Sequence, residues 1–565
     1  MPPSISQLLR HPLTWITLIA LGLRVYWETA YFSVIDAEGA EYARLAENLL
    51  GGRGYVGARE FAGPQVMFPP LYPLSIAGVA TLLHNVEWSG RIVSILFGTL
   101  LVPIMYGTAR LLYGDRSAVL CALLAATHPL FIALSGTLYT EGPYFTLLML
   151  GLFFLFRALH QGEFNPRYLT LAGVVLGLGY LTRAEGFYVP FVIAATWLGL
   201  GTIGMLRPTL STKAAGLFLG SFLLVASPYI VWLTGQVGTL RVEGKSPFNL
   251  LIGNRMLGGQ SYVEAGYAID RQLNELGVGY GMDKDDIPKV RQEVQLPSYL
   301  YAMVKAMLLE RMRAILLGRE LGAPIVVGLA LAGLLLAPWT AARWSRDLLL
   351  FGVFGTLFFM TIVTPIQYER YSFSALLPVL LWSSIGLHRL LEVGTMFIAR
   401  HVTIPAYLLP LGQGAAVVML VALIARWSYG PVEELRTFAE SGPAHDIEKD
   451  AGAWIKRSGL PTRSIYAPTI KVPYYAGGAW DILPACDGDL AVRYLEHKRP
   501  DLLVLQSNFV NRSYTKDWLL NGVPSPHFRK LSEHENQQHD KVVIYGWTDP
   551  PTADKEALVQ TQLNP

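Results

Sequence analysis

The chain has 565 residues, of which 52% are hydrophobic and 15% charged, and its mean hydropathy is +0.36. Those shares are too apolar for an ordinary soluble domain and mark a membrane protein. A net charge of +3 excludes the strong basic field that sequence-independent nucleic-acid binding needs, and two distant cysteines, Cys121 and Cys486, argue against a disulfide or a Cys-based metal site.

The N-terminal stretch MPPSISQLLRHPLTWITLIALGLRVYW sets a basic flank before an apolar run with no small-residue cleavage site after it, so it reads as a retained first span. Mostly apolar runs lie near 13–33, 90–112, 117–135, 141–159, 168–183, 187–206, 214–234, 321–340, 347–364, 371–391 and 404–427. Roughly 20 helical residues cross a hydrocarbon core of about 30 Å, which makes these about eleven span candidates. With a cytoplasmic N-terminus, Arg110 and Arg116, Arg157 and Arg167, Arg207 and Lys213, Arg343 and Arg346, and Arg389 and Arg400 all fall on the cytoplasmic side, as the positive-inside rule requires. The segments 34–89 and 235–320 and the tail are then outside.

In the first outer segment, DAEGAEYARLAENLLGGRGY spaces Ala40, Ala43, Leu45, Ala46, Leu49 and Leu50 at helical period and stops at Gly51-Gly52. It predicts a short amphipathic helix along the membrane surface. Next, MFPPLYPLSIAGVATLLHNV is marked by Pro69, Pro70 and Pro73 and predicts an interfacial or re-entrant helix. The tail changes character. HDIEKDAGAWIKRSGL and DGDLAVRYLEHKRP have helical period, whereas SIYAP, DLLVLQ and KVVIYGW read as short strands. The expected architecture is a polytopic α-helical membrane domain over 1–430 followed by a small, partly parallel extracytoplasmic α/β domain over 431–565, in a bacterial inner membrane.

Carboxylates at span boundaries are costly to desolvate and therefore informative. Asp36, Glu38 and Glu41 follow the first span, and Glu141, in SGTLYTEGPYFTLL, opens the fourth from the same side. The plain reading is helix capping and solvated first-turn acids. On the functional reading, such an acid accepts the proton of a hydroxyl that attacks a sugar. Arg183 and Glu185, in GYLTRAEGFYVP, and Glu369 and Arg370, in PIQYERYSF, stand at that same face, and guanidinium suits phosphate. Each arginine could equally pair with its neighbouring acid. Tyr139, Tyr144, Tyr188, Tyr368 and Tyr371 crowd there too, as interfacial belt residues or as walls of a sugar site.

In order and spacing, AEYARLAENLLGGRGY, FPPLYPL, TEGPYFTLL, GVVLGLGYLTRAEGF and RYSFSALLPVLLWSSIGL resemble the GT-C superfamily of membrane glycosyltransferases, in the branch of the protein O-mannosyltransferases and the aminoarabinose transferase of lipid A. The resemblance implies a GT-C-like fold and transfer of a sugar from a polyprenyl-phosphate donor to a lipid, glycan or protein acceptor at the outer face, with inversion. It also implies a catalytic acid four residues before Tyr42, which is Glu38; Asp36 lies two residues further upstream, and both are carried as catalytic candidates with Glu141. Glu41, Tyr42, Arg183, Glu185, Tyr368 and Arg370 are carried as substrate-binding candidates. Glu41 and Phe68 stand where some relatives have phosphate-binding bases, so that task falls to Arg183 and Arg370. This chemistry needs no metal or other cofactor, although Asp36, Glu38 and Glu141 could hold one divalent cation. An oligosaccharide ligase of the same superfamily, a lipid or glycan transporter and a non-catalytic envelope-assembly protein are the rival readings. A transporter should show inverted repeats and midplane charges, and an assembly protein should tolerate loss of the acids.

Overall fold

The computed structural model describes residues 11–59, 63–159, 165–203, 208–261, 264–265, 296–317, 324–364, 373–401, 405, 408–427, 446–484, 486–509 and 512–548. Helix α1 (Pro12–Tyr31) begins on a proline, which has no N–H to leave unpaired, and His11 accepts a hydrogen bond from the Leu13 N–H. It turns Ile16, Ala20, Arg24 and Glu28 inward, one residue per turn. Then come α2 (Ala37–Leu50), capped by Asp36 and closed at Gly51, and α3 (Leu71–Leu83), closed by His84 in the left-handed region. Asn85 caps α4 (Val86–Tyr113). Next are α5 (Asp115–Thr127) and α6 (Pro129–Gly136), bent by 55° where Pro129 interrupts the apolar run.

The helical part continues with α7 (Glu141–Ala158), α8 (Pro166–Tyr180), a 3₁₀ turn (Ala184–Phe187), α9 (Tyr188–Thr202) and α10 (Pro208–Val237). It ends with α11 (Ser246–Leu257), α12 (Leu296–Leu317), α13 (Pro324–Leu336), α14 (Ala341–Val363), α15 (Leu376–His401) and α16 (Leu408–Trp427). A helix stands at each of the eleven expected places, and the chain is a multi-pass membrane protein. Among the described residues six helices are long and apolar enough to span, or seven if the bent pair is one span. The shortfall from eleven has local causes. Helix α1 carries Arg24 and Glu28, α7 begins at Glu141 and includes Arg157, and α8 and α13 have 15 and 13 residues.

Leu148, Leu152 and Phe156 of α7, Phe218 and Phe222 of α10, and Leu377 and Leu381 of α15 belong to one apolar core. Helices α13 and α15 meet backbone to backbone: a Cβ added at Gly386 would collide with the Leu329 carbonyl, and one at Gly333 with the Trp382 carbonyl.

The C-terminal part runs α17 (Asp446–Ser458), β1 (Ile465–Ala467), α18 (Lys471–Ala476), β2 (Trp480–Ile482), α19 (Gly488–Lys498), β3 (Leu502–Gln506), α20 (Thr515–Asn521), β4 (Phe528–Glu535) and β5 (Lys541–Trp547). Its sheet has the order β2-β1-β3-β5-β4; β1 is parallel to β2 and β3, and β5 is antiparallel to β3 and β4. Every residue of β3 is buried, as fits a strand covered on both faces. Strands β2 and β4 are absent from the sequence expectation for good reason. One has three residues, and the other is a polar edge strand, FRKLSEHE.

Helix α2 does not lay its apolar face on lipid as predicted. Ala43 and Ala46 pack with Tyr72 and Ile76 of α3 and with Ile470 and Tyr474 at α18. Arg44 secures this contact by donating from Nη2 to the carbonyls of Pro473, Tyr474 and Gly478 at 3.4, 3.3 and 3.2 Å.

Candidate active site

The first turn of α2 presents the acids. Asp36 caps it, accepting from the Gly39 N–H at 2.7 Å and the Glu38 N–H at 3.3 Å. Glu38 projects one turn before Tyr42, whose hydroxyl donates to its Oε1 at 3.0 Å, the i,i+4 neighbour relation of a helix. The Tyr42 ring is buried edge-on against Phe68 and Tyr72, with centroids 5.0 and 5.1 Å away. Burial pushes the Tyr42 phenol well above its usual range, and the charges of Glu38, Arg183 and Glu141 all act on it. Tyr42 is therefore the point at which the first-turn acids of α2 meet the residues of the later loops.

Glu141 opens α7 with only 2% of its side chain exposed, at the end of the turn 137–140. Its Oε1 accepts from Arg183 Nη1 at 2.7 Å, and the same nitrogen donates to Thr140 Oγ1 at 3.2 Å. Arg183 grips Glu185 with its other edge, Nε to Oε1 at 3.0 Å and Nη2 to Oε2 at 3.1 Å. Its guanidinium also lies 5.9 Å from the Tyr144 ring centroid. Thus Arg183 is held between two carboxylates, as its pairing with a neighbouring acid would require.

Glu41 faces the other way. It accepts from the Ala58 N–H at 3.1 Å and from Gln65 Nε2 at 2.7 Å, and so ties the loop that the Val56–Pro64 bridge closes. Burial raises its carboxyl above the usual value, with the hydrogen bonds from Ala58 and Gln65 and the charges of Arg44 and Arg59 opposing. The structure therefore brings Asp36, Glu38, Tyr42, Glu141, Arg183 and Glu185 to one end of the bundle and engages Glu41 in loop structure. Tyr368 and Arg370 lie outside the described residues.

Two groups at this end were not legible beforehand. Lys245, from the segment before α11, places Nζ 3.9 Å from Glu38 Oε1 and 4.1 Å from the Phe68 ring centroid. Gly244 lets that segment touch the Val66 backbone, where a Cβ would clash with the Val66 carbonyl. Tyr180 and Tyr188 anchor it from α8 and α9, donating to the Val242 carbonyl at 2.6 Å and to Glu243 at 3.2 Å. The second group is a buried ionic chain. Arg91 bonds Glu28 at 2.7 Å and Glu87 at 2.5 Å, while Arg24 Nε donates to Ser135 Oγ at 2.7 Å. Glu28, Arg91 and Asp36 line one small cavity with Thr137 and Leu138. Arg24 and Glu28, four residues apart within an apolar run, were the available signal.

Among the described residues no group of three His, Cys, Asp or Glu side chains converges to hold a metal ion. Glu38 is turned to Tyr42 and Lys245, and Glu141 to Arg183, rather than to a common centre.

This helical bundle is similar in fold to solved membrane proteins of the GT-C type. Residues 68–232 match the family profile described as dolichyl-phosphate-mannose-protein mannosyltransferase. ArnT from Cupriavidus metallidurans in the apo state superposes with a TM-score of 0.57 at 13% identity, over 94% of this chain and 97% of that one. The same protein bound to undecaprenyl phosphate gives 0.53 at 12%, with the same coverage. The Archaeoglobus fulgidus oligosaccharyltransferase in its apo form gives 0.60 at 14%, over 96% of this chain and 74% of that one. Comparison with curated proteins by sequence finds no significant match.

Proposed function

We propose that the protein is a glycosyltransferase that moves a sugar from a polyprenyl-phosphate carrier to a hydroxyl of a lipid, glycan or protein acceptor, with inversion. The carrying observation is that Glu38, Tyr42 and Lys245 meet the Glu141–Arg183–Glu185 group at a single bundle end. In this reading Glu38 is the base. The acceptor oxygen forms a bond to the anomeric carbon as its proton passes to Glu38, while the carbon–oxygen bond to phosphate breaks and the electron pair leaves with the lipid phosphate. Lys245 meets that developing charge, since its carboxylate partner is 3.9 Å away and its side chain is 40% exposed. Arg183 has its charge met by two carboxylates, so its part is to order this end of the bundle, where Glu141 holds it in place. Asp36 keeps the first turn of α2 formed, so that Glu38 faces Tyr42 and Lys245. Arg370 is a further candidate for the phosphate.

The orientation supports an outer-face site. At the far end of α4 the basic termini gather: Arg346 donates to the Leu111 carbonyl at 3.3 Å, and Arg116 lies 4.0 Å from Glu392. By the positive-inside rule that end is cytoplasmic, so the acid-lined end and the C-terminal α/β domain face the periplasm of a bacterial inner membrane. There a lipid-carried donor replaces the nucleotide sugars of the cytoplasm.

The test is donor turnover by the purified protein in nanodiscs, offered a panel of undecaprenyl-phosphate monosaccharides and lipid-linked oligosaccharides. Glu38→Gln should lower turnover by about 10²- to 10⁴-fold with folding retained. If wild type consumes no donor, or Glu38→Gln, Asp36→Asn and Glu141→Gln all match it, the reading is overturned. Consumption of the oligosaccharide donors alone would make the protein a ligase.

A further inference from the structure

The acids sit on α2, but what holds the start of α2 comes largely from elsewhere. Residues 32–35 link α1 to Asp36 without regular structure, so their backbone groups need outside partners. Arg91 Nη1 donates to the Phe32 carbonyl at 2.7 Å. Lys449 Nζ, from α17, donates to the Ser33 carbonyl at 3.2 Å. The buried Ile35 N–H donates to the hydroxyl oxygen of Tyr475, in α18, at 3.0 Å. Tyr475 in turn donates to Glu87 Oε2 at 3.4 Å, and Glu87 Oε1 holds Arg91. A closed ring thus runs from Ile35 through Tyr475, Glu87 and Arg91 back to Phe32. Two of the three clamps on this link belong to the C-terminal α/β part, more than 400 positions away in sequence.

We infer that the C-terminal α/β part completes the active site, with Tyr475 as the positioning residue that sets the Asp36–Glu38 turn through the Ile35 amide. This rests on the assignment of the base to that turn. A phenol suits the role because a single oxygen both accepts from the Ile35 N–H and donates to Glu87. Burial raises the Tyr475 pKa, so the hydroxyl keeps its proton to donate. Phenylalanine would keep the ring against Lys449, whose Nζ is 5.5 Å from the ring centroid, while removing both hydrogen bonds. A small displacement of a catalytic group is enough to slow the chemistry without changing how the donor is bound.

The experiment compares Tyr475→Phe with wild type in nanodiscs by two readouts. One is release of undecaprenyl phosphate from whichever undecaprenyl-phosphate sugar the wild type consumes; the other is hydrogen–deuterium exchange of the peptide containing Ile35. The expected result is a fall in kcat of about 10- to 100-fold with KM for the donor within about twofold, together with faster exchange at that peptide. Unchanged kcat or unchanged exchange overturns the inference, as does a change in KM alone. Asp36→Asn and Glu38→Gln separate the two levels. If either is inactive while Tyr475→Phe turns over normally, only the positioning role fails; if both turn over normally, the base assignment fails and the positioning role goes with it.

Discussion

Asp36 and Glu38 are two residues apart, yet their surroundings give them different tasks. Asp36 has its oxygens on the Glu38 and Gly39 amides, whereas Glu38 meets a phenol and an ammonium. Asparagine caps helices about as well as aspartate, so Asp36→Asn should shift the thermal midpoint little, while Asp36→Ala should destabilise by about 1 kcal/mol. A melt of the purified variants checks this and makes an activity loss in Asp36→Asn interpretable as loss of charge. Glu41 gives a pH signature. Its carboxyl is raised by burial, so the folded state prefers the protonated acid. Its stability contribution is complete below the ordinary value of 4.5 and is lost as pH rises through the elevated folded value. Glu41→Gln, which cannot ionise, should therefore flatten the thermal midpoint against pH over that window, from a baseline lowered by the loss of one of the two acceptor oxygens that Ala58 and Gln65 use. A wild-type midpoint that rises through the same window would contradict it.

At the scale of elements, apolar period and punctuation located the helices well, down to Gly51 closing α2. They could not show that Pro129 bends the α5–α6 pair by 55°, because hydropathy carries no direction. Nor could they show that α13 and α15 touch through Gly333 and Gly386. Gly386→Val should force these helices apart and destabilise by about 1–3 kcal/mol or more, seen as a lowered melting midpoint. In the C-terminal α/β part, Lys471 Nζ of α18 lies 3.0 Å from Glu448 Oε2 of α17, both side chains fully buried, and Gln506 of β3 donates to the other oxygen at 2.9 Å. Lys471→Met removes the cation from a buried carboxylate and should cost about 3–5 kcal/mol, whereas adding Glu448→Met should recover most of the loss. Equal melts for the single and double variants would deny that the charge is the reason.

For the whole molecule, the separation of basic and acidic ends makes topology testable. In a Cys121→Ala, Cys486→Ala background, a cysteine at the exposed Leu520 should react with an impermeant maleimide added outside intact cells, and one at Arg110 should not. The reverse pattern would put the acids in the cytoplasm and remove the reason for a lipid-carried donor.

Local pattern was sufficient for the membrane class, the helix positions, a small α/β tail and several acids at helix starts, since hydropathy, capping and strand period act over a few residues. It was not sufficient for partnership. Glu38 meets Lys245, Glu141 meets Arg183, and Ile35 meets Tyr475 across 207, 42 and 440 positions, and nothing in a local window encodes such pairs. Whether an acid caps, braces a loop or meets a distant cation depends on what the packed bundle brings opposite it. That is why Glu41 and Glu38, three residues apart on one helix, have different partners.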